Sequence, residues 1–316
     1  DVAVVPSEHF NTLLYTGNGT TQAVTGVGFA PDFVWLKSRP ATSGQNLTNT
    51  ISGATKYLRS DLTAVEGTAN IVTAFGSDGF TVGDGNGQDV NKSGESIVAW
   101  NWKANGSGSS NTDGDINSTV SVNADAGFSI VSWVGNRGLT DPEIGHGLSS
   151  TPEMIILKNR NDTRDWTIFV DSLGANKNLV LNSTSATQTG TGRFPAVPTS
   201  TTFTTGASDE TNGTSDNLIA YAFHSVDGYS KVGSYTGNGS TDGTFVYTGF
   251  RPAFILRKRT DTTAAWIMQD NRRPGSNRAL ANSLPTDNNV LRASDSSAEE
   301  FNNELDILSN GFKLRA

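Results

Sequence analysis

The sequence predicts an all-β protein: three tandem antiparallel β-sandwich (jelly-roll-like) modules, the third lacking its closing strand. Three observations carry this expectation. The 316 residues include 34 glycines and only 35% hydrophobic residues, with Ser, Thr and Asn crowding the gaps between short apolar runs. No long apolar stripe at helical spacing interrupts that pattern. Blocks of sequence also recur in a fixed register, the mark of a repeat architecture.

The register is set by a proline-led block. "GFAPDFVWLKSR" at 28–39 is answered by "LSSTPEMIILKNR" at 148–160 and "GFRPAFILRKR" at 249–259. Pro31, Pro152 and Pro252 align at offsets of 121 and 100, and six residues after each stands a lysine: Lys37, Lys158 and Lys258. "GATKYL" (53–58) matches "GANKNL" (174–179), and "ESIVAWNWKA" (95–104) matches "DNLIAYAFHS" (216–225), both again at 121. The chain therefore divides into module one at 1–104, a Gly/Ser-rich linker at 105–126, module two at 127–226 and module three at 227–316. Modules two and three meet at "SVDGYS" with almost no slack, which predicts rigid docking.

Each module opens with a strand that ends in an aromatic, Tyr15, Trp133 or Tyr235, and passes into a Gly-Asn turn. "YTGNG" stands at both 15–19 and 235–239. Gly and Asn accept the positive φ of a tight connection, so this repeat reads as architecture rather than chemistry. The proline-led run follows, apolar on both faces and hence a central, doubly covered strand. "DWTIFVDS" (165–172) and "AWIMQDN" (265–271) supply the next strand, with Trp166 and Trp266 in step and Gln45 in their place in module one. "DGFTVG", "TTFTTG" and "NGFKLR" form a later strand, and "IVAWNW" (97–102) and "LIAYAF" (218–223) close the module. Alternation there puts Trp100 and Trp102 on one face, as it does Tyr221 and Phe223. By analogy module three should continue beyond "NGFKLR" for about another dozen residues to a strand of that kind, in a longer chain or donated by a neighbouring one.

Composition narrows the function classes. A net charge of -8 and a sequence pI of about 4.9 argue against nucleic acid as a partner. Cysteine is absent, so disulfides and thiolate metal sites are excluded. No apolar run approaches a membrane span, and no membrane insertion is expected. His9, His146 and His224 stand apart without metal-ligand spacing, and G-x-S-x-G is missing. Asp165 with Asp171, or Glu299 with Glu300, are the carboxylate pairs to consider for glycan hydrolysis, but strand-end solvation explains them more simply. "DGNGQD" (84–89) has Glu95 at the closing position of a calcium loop, but that residue begins an expected strand and Asp89 stands where the loop needs glycine; "NTDGDIN" (111–117) has Ala124 at the closing position and fails outright. No catalytic residue, metal or cofactor is expected, and the protein is not expected to be an enzyme. Trp35, Trp100, Trp102 and Trp133 have bulky equivalents in other modules and read as core. Binding candidates come instead from stretches peculiar to one module, "GRFPAVP" (192–198) and "DNRRPGSNR" (270–278): Phe194, Arg272 and Arg273.

"YTGNGSTDGTFVYTGFRPAFILRKRT" (235–260), "AYAFHSVDGYSKVGSYTGNG" (220–239), "GFSIVSWVGN" (127–136) and "LSNGFKLR" (308–315) together resemble a repeat family of virion structural proteins from marine tailed phages. The resemblance implies a fibre, tail or capsid-surface protein on the extracellular particle. Its implied partners are other virion proteins, further copies of itself (a homotrimer) and a host surface glycan or protein. A capsid-bound decoration clamp, a glycan-active enzyme and a free-standing sugar-binding module are the rival expectations.

Overall fold

Short β-branched and aromatic runs bounded by glycine make strands, because side chains stiff at χ1 pack well on a pleated surface. The computed structural model describes residues 4–84, 90–190, 192–273, 289–301 and 305–315, and these described residues are nearly all strand and loop, with several antiparallel sheets and no barrel among them. Module one holds β1 (Phe10–Thr16), β2 (Gln22–Thr25), β3 (Phe33–Ser38), β4 (Asn46–Asn49), β5 (Lys56–Arg59), β6 (Gly67–Thr68), β7 (Val72–Gly76), β8 (Gly79–Val82) and β9 (Ser96–Trp102). Its large sheet runs β1-β9-β3-β4-β5-β6, and a small sheet, β2-β8-β7, covers the outer face. The closing strand β9 thus lies between the opening strand β1 and the proline-led β3. All six residues of β3 are buried, as its two-faced apolarity predicts.

Module two repeats the order with β10 (Ser109–Asn111), β11 (Ser118–Asn123), β12 (Phe128–Val134), β13 (Glu143–Gly145), β14 (Met154–Asn159), β15 (Thr167–Val170), β16 (Lys177–Val180), β17 (Gln188–Thr189), β18 (Thr202–Thr204) and β19 (Asn217–Phe223). Closing strand β19 again sits between opening strand β12 and proline-led β14, in a large sheet ordered β10-β11-β12-β19-β14-β15-β16-β17. Here the expectation of a linker over 105–126 is corrected. Residues 109–111 and 118–123 are β10 and β11, and β11 pairs with β12 along its whole length. The alternation in "STVSVN" buries Val120 beside Val131, which outweighs the Gly/Ser content around it.

Module three holds β20 (Phe245–Tyr247), β21 (Phe254–Arg257), β22 (Ile267–Asp270), β23 (Asn289–Arg292), β24 (Glu300–Phe301), β25 (Leu305–Leu308) and β26 (Gly311–Leu314). Its sheets run β21-β22-β23-β24 and β20-β26-β25. Among the described residues, no strand pairs with the β21 edge that corresponds to the β9 side of β3.

The three large sheets turn their inner faces to one another. Phe33, Trp35, Trp100 and Trp102 of module one, Phe128, Trp166, Ile219 and Tyr221 of module two, and Trp266, Met268 and Leu291 of module three form one buried core. Phe33 stacks on Tyr221 with ring centroids 4.2 Å apart, and Trp102 meets Phe254 edge to face at 5.7 Å. Such aromatic contacts add to an area term of about 2–3 kcal/mol for each buried ring. Each module keeps a second core between its large and small sheets, and that of module three is the smallest, centred on Ile255, Leu305, Ile307, Phe312 and Leu314.

One seam is written three times. The Trp166 indole N–H donates to Arg59 O of module one at 2.7 Å, and that of Trp266 to Val180 O of module two at 2.8 Å. The Gln45 side-chain N–H closes the set on Arg292 O of module three at 2.7 Å. These acceptors are equivalent. Each pairs across strands with the residue following its own module's Trp or Gln: Asn46, Thr167 or Ile267. A second bond repeats at the same three seams with donor and acceptor modules exchanged, from Glu66 N–H to Arg160 O, Thr187 N–H to Thr260 O and Glu299 N–H to Arg39 O, at 2.9, 2.9 and 2.7 Å. Arg160 braces its seam with two nitrogens on the Glu66 carboxylate, 2.7 and 3.0 Å away, and Arg39 pairs with Glu299. Module two therefore grips one, three grips two, and one grips three. A head-to-tail contact that closes after three steps is a ring with threefold pseudosymmetry, built within one chain.

Candidate functional site

In modules one and two the Gly-Asn turn after the opening strand is a clasp for the closing strand. Gly17 N–H donates to Glu95 O, and Gly135 N–H to Asp216 O, both at 2.9 Å. The next amides, Asn18 and Asn136, donate to the side-chain oxygens of Asn91 and Asn212 at 2.9 and 2.7 Å. Those two asparagines are fully buried. The approach is close enough to demand glycine: a Cβ on Gly17 would lie 2.3 Å from Lys92 O, and one on Gly135 would lie 2.2 Å from Gly213 O. Asn91 and Asn212 share the 121-residue offset. The sequence carried that signal, but only the fold shows that the asparagine caps the turn.

The aligned lysines are structural donors. Lys37 Nζ is buried and bonds Ser38 O and Ala41 O at 2.7 and 2.8 Å. Lys158 Nζ reaches Asn159 O at 2.7 Å, Thr63 O of module one at 3.2 Å and Asp162 O at 3.3 Å. Burial lowers the Lys158 ammonium to about 8. In modules one and two the acid after the proline secures the exit of the closing strand. Asp32 accepts the N–H groups of Ala104 and Gly106 at 2.6 and 2.9 Å, and Glu153 accepts from Ser225 at 2.5 Å. Burial raises the Asp32 carboxyl against those bonds. Module three has Ala253 at this position.

The residues singled out for binding occupy different settings. Phe194 is buried, its ring 5.6 Å from Phe169 in the outer core of module two, so the module-specific loop folds its aromatic inward. Arg273 is also buried. It bonds Asp270 at 2.6 Å and Met268 O at 3.0 Å, approaches Glu299 at 3.4 Å and lies over the Trp100 ring at 5.5 Å. It is a seam residue between modules three and one rather than a surface contact. Arg272 is exposed and lines a depression of about 450 Å³ with Asn11–Leu14 and Gly26. The remainder of that stretch, 274–278, lies outside the described residues, as does 85–89 of the Asp/Gly loop.

Three of the four carboxylates considered for glycan chemistry are engaged elsewhere. Asp165 bonds Asn182, Glu299 is held by two arginines, and Glu300 pairs with Arg292 at 2.6 Å. Among the described residues no group of three or more His, Asp and Glu side chains could hold a metal ion.

His146 is buried, and its bonds fix its protonation. Nδ1 accepts the Leu148 N–H at 3.1 Å, so the neutral ring carries its proton on Nε2, which faces Thr199 O at 3.3 Å. Burial lowers its pKa from 6.5 to about 4. Between those values the unfolded chain takes up a proton that the folded chain refuses. The His146 contribution is therefore complete above pH 6.5 and is lost as pH falls through about 4, by about 3 kcal/mol. Urea unfolding between pH 7 and 4 should show a shallower loss of stability for His146→Gln than for the parent; equal slopes would assign the acid sensitivity elsewhere.

The sequence profile of a family described as a domain of unknown function (DUF7483) matches residues 5–316. No curated protein and no solved structure matches the chain.

Proposed function

The chain belongs to the DUF7483 family, and we propose that it is a bacteriophage virion structural protein, a tail-fibre or spike component on the particle surface. The observation that carries this reading is the closed ring, in which one contact is repeated three times around a common core. A chain spent on a stiff, multiply braced body with its loops turned outward suits a scaffold that must stay folded outside a cell without disulfides. The resemblance of "YTGNGSTDGTFVYTGFRPAFILRKRT" to virion proteins of marine tailed phages supports the same role. Other virion proteins are its partners, and exposed loops are where a host surface glycan or protein would be met.

The ring also favours a second reading, a capsid-bound decoration clamp. Threefold geometry, otherwise expected of a homotrimer, is already supplied by one chain, so a single copy suits a threefold position on the particle. An averaged electron cryo-microscopy map of the intact particle decides between them. Copies projecting along a tail or spike axis support the fibre reading. Single copies lying flat across capsid subunits support the clamp, and absence of the chain from the particle overturns both.

A further inference from the structure

Among the described residues four that are not glycine take a positive φ: Thr55, Asp141, Asn176 and Ser215. The repeat accounts for three of them. Thr55 and Asn176 hold the same position in "GATK" and "GANK", and Ser215 stands where module one has Gly94, itself at φ 80°. Asp141, at φ 47°, has no such counterpart, because the matching loop of module one, 17–21, takes its positive φ at Gly19. Asp141 also precedes Pro142, in the only Asp-Pro pair of the sequence. Aspartate enters the left-handed region more readily than most residues. Before a proline that tolerance is reduced, since the ring Cδ crowds the preceding residue and favours extended backbone there. The proline side cannot yield. Pro142 is buried, Thr205 donates its N–H and hydroxyl to Pro142 O at 3.0 and 3.4 Å, and Asp115 accepts the Glu143 N–H at 3.0 Å. There β13 begins its pairing with β18. The Asp141 side chain is exposed, and among the described residues no hydrogen bond or ion pair engages its carboxylate.

We infer that the Asp141–Pro142 bond is a self-cleavage site, cut by the Asp141 carboxyl group in mild acid. The nucleophile is already in place, because an aspartate oxygen reaches its own backbone carbonyl carbon without any encounter step. That oxygen attacks the carbon and closes a cyclic anhydride. The bond from the carbon to Pro142 N breaks, and the nitrogen leaves as a secondary amine that takes a proton from the acidic solvent. Water then opens the anhydride and leaves Asp141 as a C-terminus with two carboxyl groups. The net change is the addition of one water, and nothing is oxidised or reduced. Strain held in the intact bond is released by the cut, which favours the folded chain over a relaxed one. The two pieces, 1–141 and 142–316, stay together, because β12 pairs with β19 and Trp166 bonds Arg59 O across the break. Cleavage therefore frees β13 from its tether to β12 and leaves the ring assembled.

The test is incubation of the 316-residue chain at about pH 5 beside a synthetic peptide of residues 136–147, with mass spectrometry of both. The chain should yield one fragment ending at Asp141 and one beginning at Pro142, about fivefold or more faster than the peptide. Urea at the same pH should slow the chain to the rate of the peptide, since unfolding relaxes the backbone. Before denaturation the cut chain should elute as a single species of unchanged size. Asp141→Gly keeps the positive φ and removes the nucleophile, whereas Pro142→Ala keeps the nucleophile and replaces the proline nitrogen with an ordinary amide. Each should abolish the cut. No cleavage at this bond, a rate no greater than that of the peptide, or cleavage that persists in Asp141→Gly would overturn the inference.

Discussion

Trp166→Ala is expected to lower the stability of the whole chain by about 3–5 kcal/mol. The side chain is fully buried in the core shared by three modules, and its indole N–H satisfies Arg59 O on the neighbouring module. Truncation leaves both a cavity and an unmet carbonyl. Trp166→Gln should cost less, because Gln45 makes the equivalent bond with a side-chain amide. Guanidinium unfolding followed by two probes checks this. A ring predicts one transition that shifts as a unit, whereas independent modules would lose module two alone and split the curve.

Asp270→Ala should be as damaging, again by about 3–5 kcal/mol, through charge rather than volume. Asp270 accepts from Arg273 at 2.6 Å, from the Trp100 indole at 3.1 Å and from two backbone N–H groups. Its removal strands a guanidinium whose side chain is only 1% exposed. Replacing the pair together, Asp270→Ala with Arg273→Met, should recover part of the loss, because no uncompensated charge then remains buried. Equal losses for the single and double variants, read from the same unfolding curves, would place the cost in packing around Trp100 instead.

Much of the module was legible in sequence, and the reasons are local. Pro31, Pro152 and Pro252 set the start of β3, β14 and β21, and alternation in "IVAWNW" puts Trp100 and Trp102 on one face, which the fold turns inward. Three features were hidden because they depend on neighbours far along the chain. Gln45 reads as a departure from Trp166 and Trp266, yet it supplies the same N–H to the same acceptor position. Arg273 reads as an available loop cation, but its partners are a strand-end aspartate and Glu299, which module one also holds through Arg39. Phe194, between Arg193 and Pro195, reads as exposed loop and is core. The repeated turn was recognised as architecture, and its role as a clasp needed Asn91 and Asn212, residues 73 and 76 positions from the amides they accept. Repeats show that modules are alike. They do not show how the modules dock.

The ring is tested most directly at the seam that joins first module to last. Residues 39 and 299 are 260 positions apart, and Glu299 N–H bonds Arg39 O at 2.7 Å. Because the chain has no cysteine, Arg39→Cys with Glu299→Cys introduces a single possible disulfide. Mild oxidation of the dilute double variant should give a monomeric, internally crosslinked chain with altered mobility on a non-reducing gel. Modules strung in a line would hold the two thiols apart, and crosslinks only between chains, or none, would contradict the ring.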